Sequence, residues 1–157
     1  MPHRPALFTD LTDANLDAAC TTVAAEIART DGKASLLLAF DGALLAGLAT
    51  AADQPLPTAS KILGGAAVLA LAVAAVLLLL VVRPRLGGSG SDRASFPYWA
   101  RLDDDTIRAS MTGDTRPARI RVLSRIAMKK FSRLRAAVDT ILAALALLTL
   151  AAAGLAL

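Results

Sequence analysis

The sequence has little of what a disulfide-rich domain or a hydrolytic enzyme needs. It contains one cysteine among 157 residues, so no disulfide can form within the chain, and one histidine, at position 3. With this single histidine, the sequence offers no histidine-based metal site and no Ser–His–Asp triad worth proposing. Charged residues make up only 19% of the chain and hydrophobic residues 55%, a balance that excludes intrinsic disorder. We therefore predict no catalytic residue, no metal and no bound cofactor, and so no enzyme.

Apolar residues are abundant and are concentrated in three blocks, at residues 34–52, 62–82 and 141–157. The middle block has 21 apolar residues and no charge, and about 20 are needed to cross a bilayer. The first block contains one charge, Asp41, and the third contains one polar side chain, Thr149. As buried helices of a soluble core, these blocks would leave too little polar surface in so short a chain. We therefore predict three transmembrane helices.

The distribution of Lys and Arg predicts how these helices are oriented. Three of the 17 basic residues lie in residues 1–35, one in 36–82 and thirteen in 83–140. Because loops rich in Lys and Arg stay in the cytoplasm, the N-terminus and residues 83–140 are predicted to be cytoplasmic. Residues 53–61 then form an external turn and the C-terminus lies outside. The basic excess accompanies no nucleic-acid recognition motif, so no nucleic-acid partner is predicted.

Residues 1–33 are predicted to form a cytoplasmic amphipathic helix. Within residues 9–30, the apolar positions recur at spacings of 4, 3 and 4, which places them on one helix face: Leu16, Cys20, Val23 and Ile27. Three acidic residues are expected off that face: Asp13, Asp17 and Glu26.

Residues 83–116 follow the second span and are predicted to be a cytoplasmic linker, rich in Gly and Ser, with a short helix. Asp103, Asp104 and Asp105 precede that helix. Three adjacent carboxylates suggest a divalent-metal site, but successive helix residues point about 100° apart. We therefore expect these residues to form the helix N-terminus, where the dipole favours negative charge.

Residues 117–140 are predicted to be a basic cytoplasmic helix that continues into the last span. No helix-breaking residue follows Pro117 until Gly154, and an apolar seam that includes Phe131 runs along the whole stretch at spacings of 3 and 4. The fold predicted is an all-α membrane protein with three transmembrane helices, an N-terminal amphipathic helix and a cytoplasmic helical segment continuous with the last span.

A basic row lies on the other face of this helix, with each residue four positions after the last: Arg121, Arg125, Lys129 and Arg133. Like charges at this spacing repel each other, so the row indicates anionic neighbours. Lipid head groups, the acids of the N-terminal helix and a ligand phosphate all remain open, as does a solvated face that only sets topology.

The first span has two further features. A carboxylate inside a span is costly and usually faces a helix bundle or a water path, so Asp41 is predicted to line a pore or to hold helices together. Small residues also recur at strict intervals of four, which allows close helix approach and predicts a homo-oligomer: Ser35, Ala39, Ala43, Gly47 and Ala51.

Two stretches resemble the small transmembrane effectors of Pycsar, the bacterial pyrimidine cyclase system of antiphage defence. In the first, residues 31–35, an acid and a Lys–Ala pair open the first span: Asp31, Lys33 and Ala34. In the second, residues 123–138, an Ile-x-x-x-Lys stretch and a Leu–Arg pair precede the last span: Ile126, Lys130, Leu134 and Arg135. The similarity begins at about residue 12 and covers nearly the whole remaining chain.

The resemblance implies a function at the bacterial plasma membrane. A partner pyrimidine nucleotide cyclase would make cyclic CMP or cyclic UMP, and the effector would bind it and impair the inner membrane, causing abortive infection. Such a ligand needs a cation for its phosphodiester and a stacking surface for its base. The candidate nucleotide-binding residues are Asp31, Lys33, Tyr98, Trp99, Arg125, Lys129 and Lys130.

Other roles stay open for these residues and for the chain. Tyr98 and Trp99 suit an interfacial aromatic belt or a small cytoplasmic core, and Asp31 and Lys33 suit a structural clasp with the basic helix. The chain also looks similar to integral membrane proteins described as plasmid transfer proteins. The alternative function is thus a structural or partner-binding membrane protein of plasmid transfer.

Overall fold

The computed structural model describes residues 4–52, 54–83, 96–110 and 112–154, without the side chains of residues 4–9, 96 and 97. These residues form helices and no strand. The helices are α1 (Arg4–Ala51), α2 (Thr58–Val82), α3 (Phe96–Trp99), α4 (Asp104–Ser110) and α5 (Arg116–Ala153). Three of them, α1, α2 and α5, are long and apolar enough to span a membrane, so the predicted fold class is confirmed. The Gly–Ser stretch of the predicted linker and residues 155–157 lie outside the described residues.

Helix α1 contains both the amphipathic segment and the first span. After Pro5 no proline interrupts the sequence until Pro55, and neither Gly32 nor Gly42 has a positive φ, so the helix continues across both glycines. It ends at Ala51, four residues before Pro55. The N-terminal helix is therefore continuous with the first span.

Helix α5 is likewise one helix across the predicted basic segment and the last span. Its first turn is capped by Asp114, whose Oδ1 accepts a hydrogen bond from the Arg116 backbone N–H at 3.0 Å. The Thr115 carbonyl accepts the first helical bond, from Arg119 N–H at 3.0 Å. Pro117 lies in the first turn, where its missing N–H leaves no helical bond unmade, and the helix ends at Ala153, before Gly154.

The chain divides into two compact units. One, called the polar unit here, comprises Met1–Arg29 and Pro84–Lys129; the other, called the apolar unit, comprises Thr30–Arg83 and Lys130–Leu157. In the apolar unit, α1, α2 and α5 pack through small residues, since five alanines are completely buried: Ala34, Ala67, Ala74, Ala137 and Ala144. Small residues let helix backbones approach closely, which drives helix association in lipid.

The core of the apolar unit consists of two groups of buried residues. Cluster 1 centres on Ala34 of α1, Leu78 of α2 and Ile141 of α5, and cluster 2 centres on Leu71 of α2 and Ala144 of α5. Beyond them, the Ser60 hydroxyl donates a buried hydrogen bond to the Ala151 carbonyl at 3.1 Å, which joins α2 to α5.

The inward face of α5 differs from the predicted seam at three positions, where the residue before the predicted one is buried: Lys130 in place of Phe131, Ala137 in place of Val138 and Ala144 in place of Leu145. Phe131, placed in the seam by its apolar character, is 40% exposed, whereas Lys130 is only 9% exposed. The buried positions follow spacings of 3 and 4: Ala127, Lys130, Leu134, Ala137, Ile141 and Ala144. A lysine therefore occupies the seam, and the reason is its partner on α1, described below.

The row of small residues on α1 lies on an exposed face of that helix: Ser35, Ala39, Ala43, Gly47 and Ala51. Within the chain, the three helices pack through other positions of α1, including Ala34 and Leu38. The homo-oligomer that this row predicts stays a prediction.

Candidate functional site

An ion pair joins α1 to α5 at one end of the apolar unit. The Lys130 ammonium donates a hydrogen bond to Asp31 Oδ1. The Lys130 side chain is only 11% exposed and that of Asp31 is 35% exposed. An ammonium so shielded from water is costly unless an anion neutralises it, and Asp31 does so. This contact explains why a lysine occupies the inward seam of α5.

The next helical turn continues the same contact with apolar residues. Ala34 is three residues after Asp31, Leu134 is four residues after Lys130, and both are buried in cluster 1. The third helix joins through Arg133, whose guanidinium donates to the Leu80 carbonyl of α2 at 3.2 Å. Side-chain contacts therefore join α1 to α5 and α5 to α2 at or beside the ion pair.

Among the seven candidate nucleotide-binding residues, the structure shows one contact, that between Asp31 and Lys130. Lys33 belongs to the apolar unit and is exposed. Arg125 and Lys129 belong to the polar unit and are exposed too. Within the described part of the chain, these three cations form no ion pair and no side-chain hydrogen bond. Their positive charge is available to an anion.

The two aromatic candidates, Tyr98 and Trp99, belong to the short helix α3 of the polar unit. Both side chains are half-buried. The Tyr98 carbonyl accepts a hydrogen bond from the Arg101 N–H, and the Trp99 carbonyl accepts one from the Leu102 N–H, each at 3.1 Å. These backbone hydrogen bonds form turns that end α3. Each aromatic ring keeps part of its surface exposed.

A second charged cluster, which the sequence reasoning missed, lies in the polar unit around Arg116. Its guanidinium binds the Asp13 carboxylate, Asp17 Oδ1 at 3.2 Å and Asp114 Oδ1 at 2.9 Å. It also donates to the Asp13 carbonyl at 3.2 Å. Asp13 was expected off the apolar face of α1, but it precedes Leu16 by three residues and both are half-buried. The three-residue spacing from Leu16 was the feature of the sequence that could have predicted Asp13 to lie on the half-buried face of α1.

The same cluster shifts the ionisation of Asp114. Hydrogen bonds from the Arg116 side chain and from the Arg116 backbone N–H stabilise the charged carboxylate, so the pKa of Asp114 is lowered. A similar effect occurs at the start of α4, where Asp103 accepts hydrogen bonds from the Thr106 side chain and from the Thr106 backbone N–H, the latter at 2.7 Å. These bonds lower the pKa of Asp103, which acts as the helix cap.

Asp41 is the most unusual polar residue of the apolar unit. Its side chain is completely buried, and both carboxylate oxygens lack a hydrogen-bond partner among the described residues. It lies two helical turns after Ala34, so it is on the inward stripe of α1.

Comparison with protein families decides between the functions that the sequence left open. The family model described as the Pycsar effector protein domain matches residues 15–157. The chain belongs to the Pycsar effector family. The comparisons with curated proteins and with solved structures find no match. As a Pycsar effector with three apolar helices of spanning length, the chain is a multi-pass membrane protein of antiphage defence.

The family resemblance also acquires a structural basis. Its first stretch supplies Asp31 and Ala34, and its second supplies Lys130 and Leu134. The charged members form the ion pair, and the apolar members share cluster 1. The two stretches by which a Pycsar effector is recognised here are therefore two sides of one helix contact.

Proposed function

We propose that this Pycsar effector is activated by cyclic CMP or cyclic UMP and then impairs the bacterial inner membrane, causing abortive infection. The family match and the three apolar helices support the general function. The nucleotide comes from a pyrimidine nucleotide cyclase, and no other cofactor takes part. The same match favours defence over a structural role in plasmid transfer.

The observation that carries the proposal is the shielded ion pair between Asp31 and Lys130. A cyclic nucleotide presents one negative phosphodiester, which makes strong charge-assisted hydrogen bonds with an ammonium group. We expect the phosphodiester to compete with Asp31 for Lys130 and to bind Lys33, whose charge is free among the described residues. Loss of the Asp31 contact then loosens α1 from α5.

The polar unit has cations of its own for an anionic ligand. Arg125 and Lys129 are exposed and lie four residues apart on α5, so the two charges repel each other unless an anion lies beside them. We propose that they bind lipid phosphate groups and, through their positive charge, raise the local concentration of the anionic nucleotide. Tyr98 and Trp99 of the same unit have exposed ring surface that suits a base or the membrane interface.

The proposed arrangement in the membrane follows the basic residues. Thirteen of the 17 Lys and Arg residues lie in residues 83–140, so we place that segment and the N-terminus in the cytoplasm, where the cyclase product is made. The C-terminus is then outside. Reporter fusions at the two ends test this orientation: a cytoplasmic reporter active only at the N-terminal end is the expected result.

The function itself is tested by membrane potential in bacteria that express the protein with or without a pyrimidine cyclase. Depolarisation only when cyclic CMP or cyclic UMP is made is expected, and it names the signal. Lys33→Ala and Lys129→Ala should retain insertion but lose the response. Lys61→Ala, which removes an exposed lysine of α2, is the matched control and should respond normally. Equal depolarisation with no cyclase would refute activation by a nucleotide.

A further inference from the structure

The position of Asp41 within the apolar unit separates the two core clusters. Along α1 it is three residues beyond Leu38 of cluster 1 and three residues before Leu44 of cluster 2. Lys33 precedes it by eight residues, or about 12 Å of helix, and Ala51 follows by ten, or about 15 Å. A hydrocarbon core is about 30 Å thick. The carboxyl group is therefore near the middle of the span.

The surroundings of Asp41 do not account for a structural role. A carboxylate buried without a cation or a donor costs several kcal/mol, and such residues in membrane spans mark ion or proton pathways. A residue that held helices together within the chain would have a partner, and Asp41 has none among the described residues. Four hydroxyl groups of the apolar unit bond to nearby carbonyls of their own helices, and the Ser60 hydroxyl bonds to the Ala151 carbonyl of α5, so none of these five serves Asp41: Ser35, Thr50, Ser60, Thr140 and Thr149.

The chemistry of the site favours a proton over a metal ion. Calcium takes six to eight oxygen ligands, and magnesium an octahedron of oxygens. The described residues contain no group of three or more His, Cys, Asp or Glu side chains that could hold a metal ion. A lone carboxyl group is enough to bind one proton.

We propose that Asp41 is a proton-binding site inside the membrane through which the activated effector passes protons. This inference rests on the proposed function and names what crosses the bilayer. Water on one side protonates the carboxylate, forming an O–H bond. That bond then breaks as the proton passes to water on the other side, with no oxidation or reduction. The two apolar clusters on either side of Asp41 separate it from water until the helices loosen.

The proton site can be tested without activation. Dicyclohexylcarbodiimide is an apolar reagent that adds to protonated carboxyl groups in membranes. Treated in proteoliposomes at neutral pH and digested, the wild-type protein should carry the adduct on the peptide that contains Asp41. Asp41→Asn should lose it, while a water-soluble carbodiimide should label exposed acids such as Asp17 and leave Asp41 unmodified. Absence of the adduct at Asp41 over the whole accessible pH range would overturn the inference.

The transport role is tested in proteoliposomes with a pH-sensitive dye inside and, in parallel, with a trapped fluorescent dye. Cyclic CMP and cyclic UMP are each added. The wild-type protein should dissipate the pH gradient with one of them before trapped dye escapes. Asp41→Asn should lower that proton flux about tenfold or more, and Asp41→Glu should restore part of it, because glutamate keeps a carboxyl group. Thr50→Val, in the same helix, should conduct normally.

The outcomes separate the two ideas. Equal proton flux in the wild-type protein and in a correctly inserted Asp41→Asn variant would overturn the inference and leave the proposed function intact. Simultaneous escape of protons and trapped dye, unaffected by the variant, would indicate general bilayer damage and also overturn it. No flux of any kind with either nucleotide would refute the proposed function, and with it the transport role, whatever the labelling shows.

Discussion

The ion pair between Asp31 and Lys130 gives a quantitative prediction about how the helices are held. Asp31→Asn leaves the Lys130 ammonium, 11% exposed, without its anion. Removing one partner of a fully buried pair costs about 3–5 kcal/mol. Asp31 is 35% exposed, so water already weakens the attraction, and we expect a loss of about 2 kcal/mol in the free energy of unfolding. That is about a 30-fold change in the unfolding equilibrium.

The reverse substitution should cost less. Lys130→Met leaves Asp31 with access to water, and the methionine chain can fill the space beside Leu134, so about 1 kcal/mol is expected. The double variant should lose less than the sum of the two, with a coupling energy of about 1–2 kcal/mol, because both single variants remove the same contact.

The measurement is reversible unfolding in mixed detergent micelles, followed by far-UV circular dichroism for the wild-type protein, the two single variants and the double variant. Asp139→Asn is the matched control, because it removes an exposed ion pair with Arg135, with 3.9 Å between the charged atoms and side chains 85% and 67% exposed. It should cost no more than about 0.5 kcal/mol. Additive losses at positions 31 and 130, or equal losses for Asp31→Asn and Asp139→Asn, would refute the reasoning.

Three further predictions concern the other contacts. Arg116→Met should speed amide hydrogen exchange in residues 13–17 of α1 and in the first turn of α5, whereas Arg119→Met, at an exposed position of the same turn, should not. The lowered pKa of Asp114 means that its contact with Arg116 is complete above the ordinary carboxyl pKa of about 3.9 and is lost as pH falls through the lower folded-state value. The protection of the amides in that first turn, measured relative to their intrinsic exchange rate at each pH, should fall from about pH 4 downward. Asp114→Asn should abolish this dependence. Ser60→Ala should lose about 1 kcal/mol of stability in detergent because its buried bond to α5 disappears, while Thr50→Ala, whose hydroxyl bonds to the Gly47 carbonyl of its own helix, should be close to neutral.

The sequence was sufficient for the parts of the fold that depend on local pattern. Apolar runs of bilayer length predicted the three long helices, and the absence of helix breakers between Pro117 and Gly154 predicted that α5 is continuous. Both signals act within one segment, because hydropathy fixes where a helix meets lipid and glycine or proline fixes where it ends. No knowledge of distant partners is needed for either.

The parts that the sequence did not predict depend on partners far away in the chain. Periodicity placed Phe131 in the seam because it assigns charged residues to the outside, and only Asp31, 99 positions away, makes Lys130 acceptable there. The same holds for Arg116, which is bonded to its near neighbour Asp114 but whose partner Asp13 is 103 positions away. A polar residue buried by pairing has no signature in its own neighbourhood.

The family pattern makes sense once these distant pairs are considered. Apolar residues alone would insert three helices into a membrane, so insertion gives no reason for an acid and a lysine to face each other where α1 and α5 enter the apolar unit. Under the proposed function, the effector damages the membrane of its own cell, so it has to stay inactive until the nucleotide is made. An apolar contact does not distinguish a small anion from water, whereas an ion pair can be broken by one, since a phosphodiester competes for the same ammonium. The charged contact lies one helical turn from Ala34 and Leu134 of cluster 1. Breaking the ion pair would therefore affect the packing of the spans directly. Under the proposed function, a ligand with one negative charge that breaks the ion pair would therefore loosen the packing of the helices that cross the bilayer.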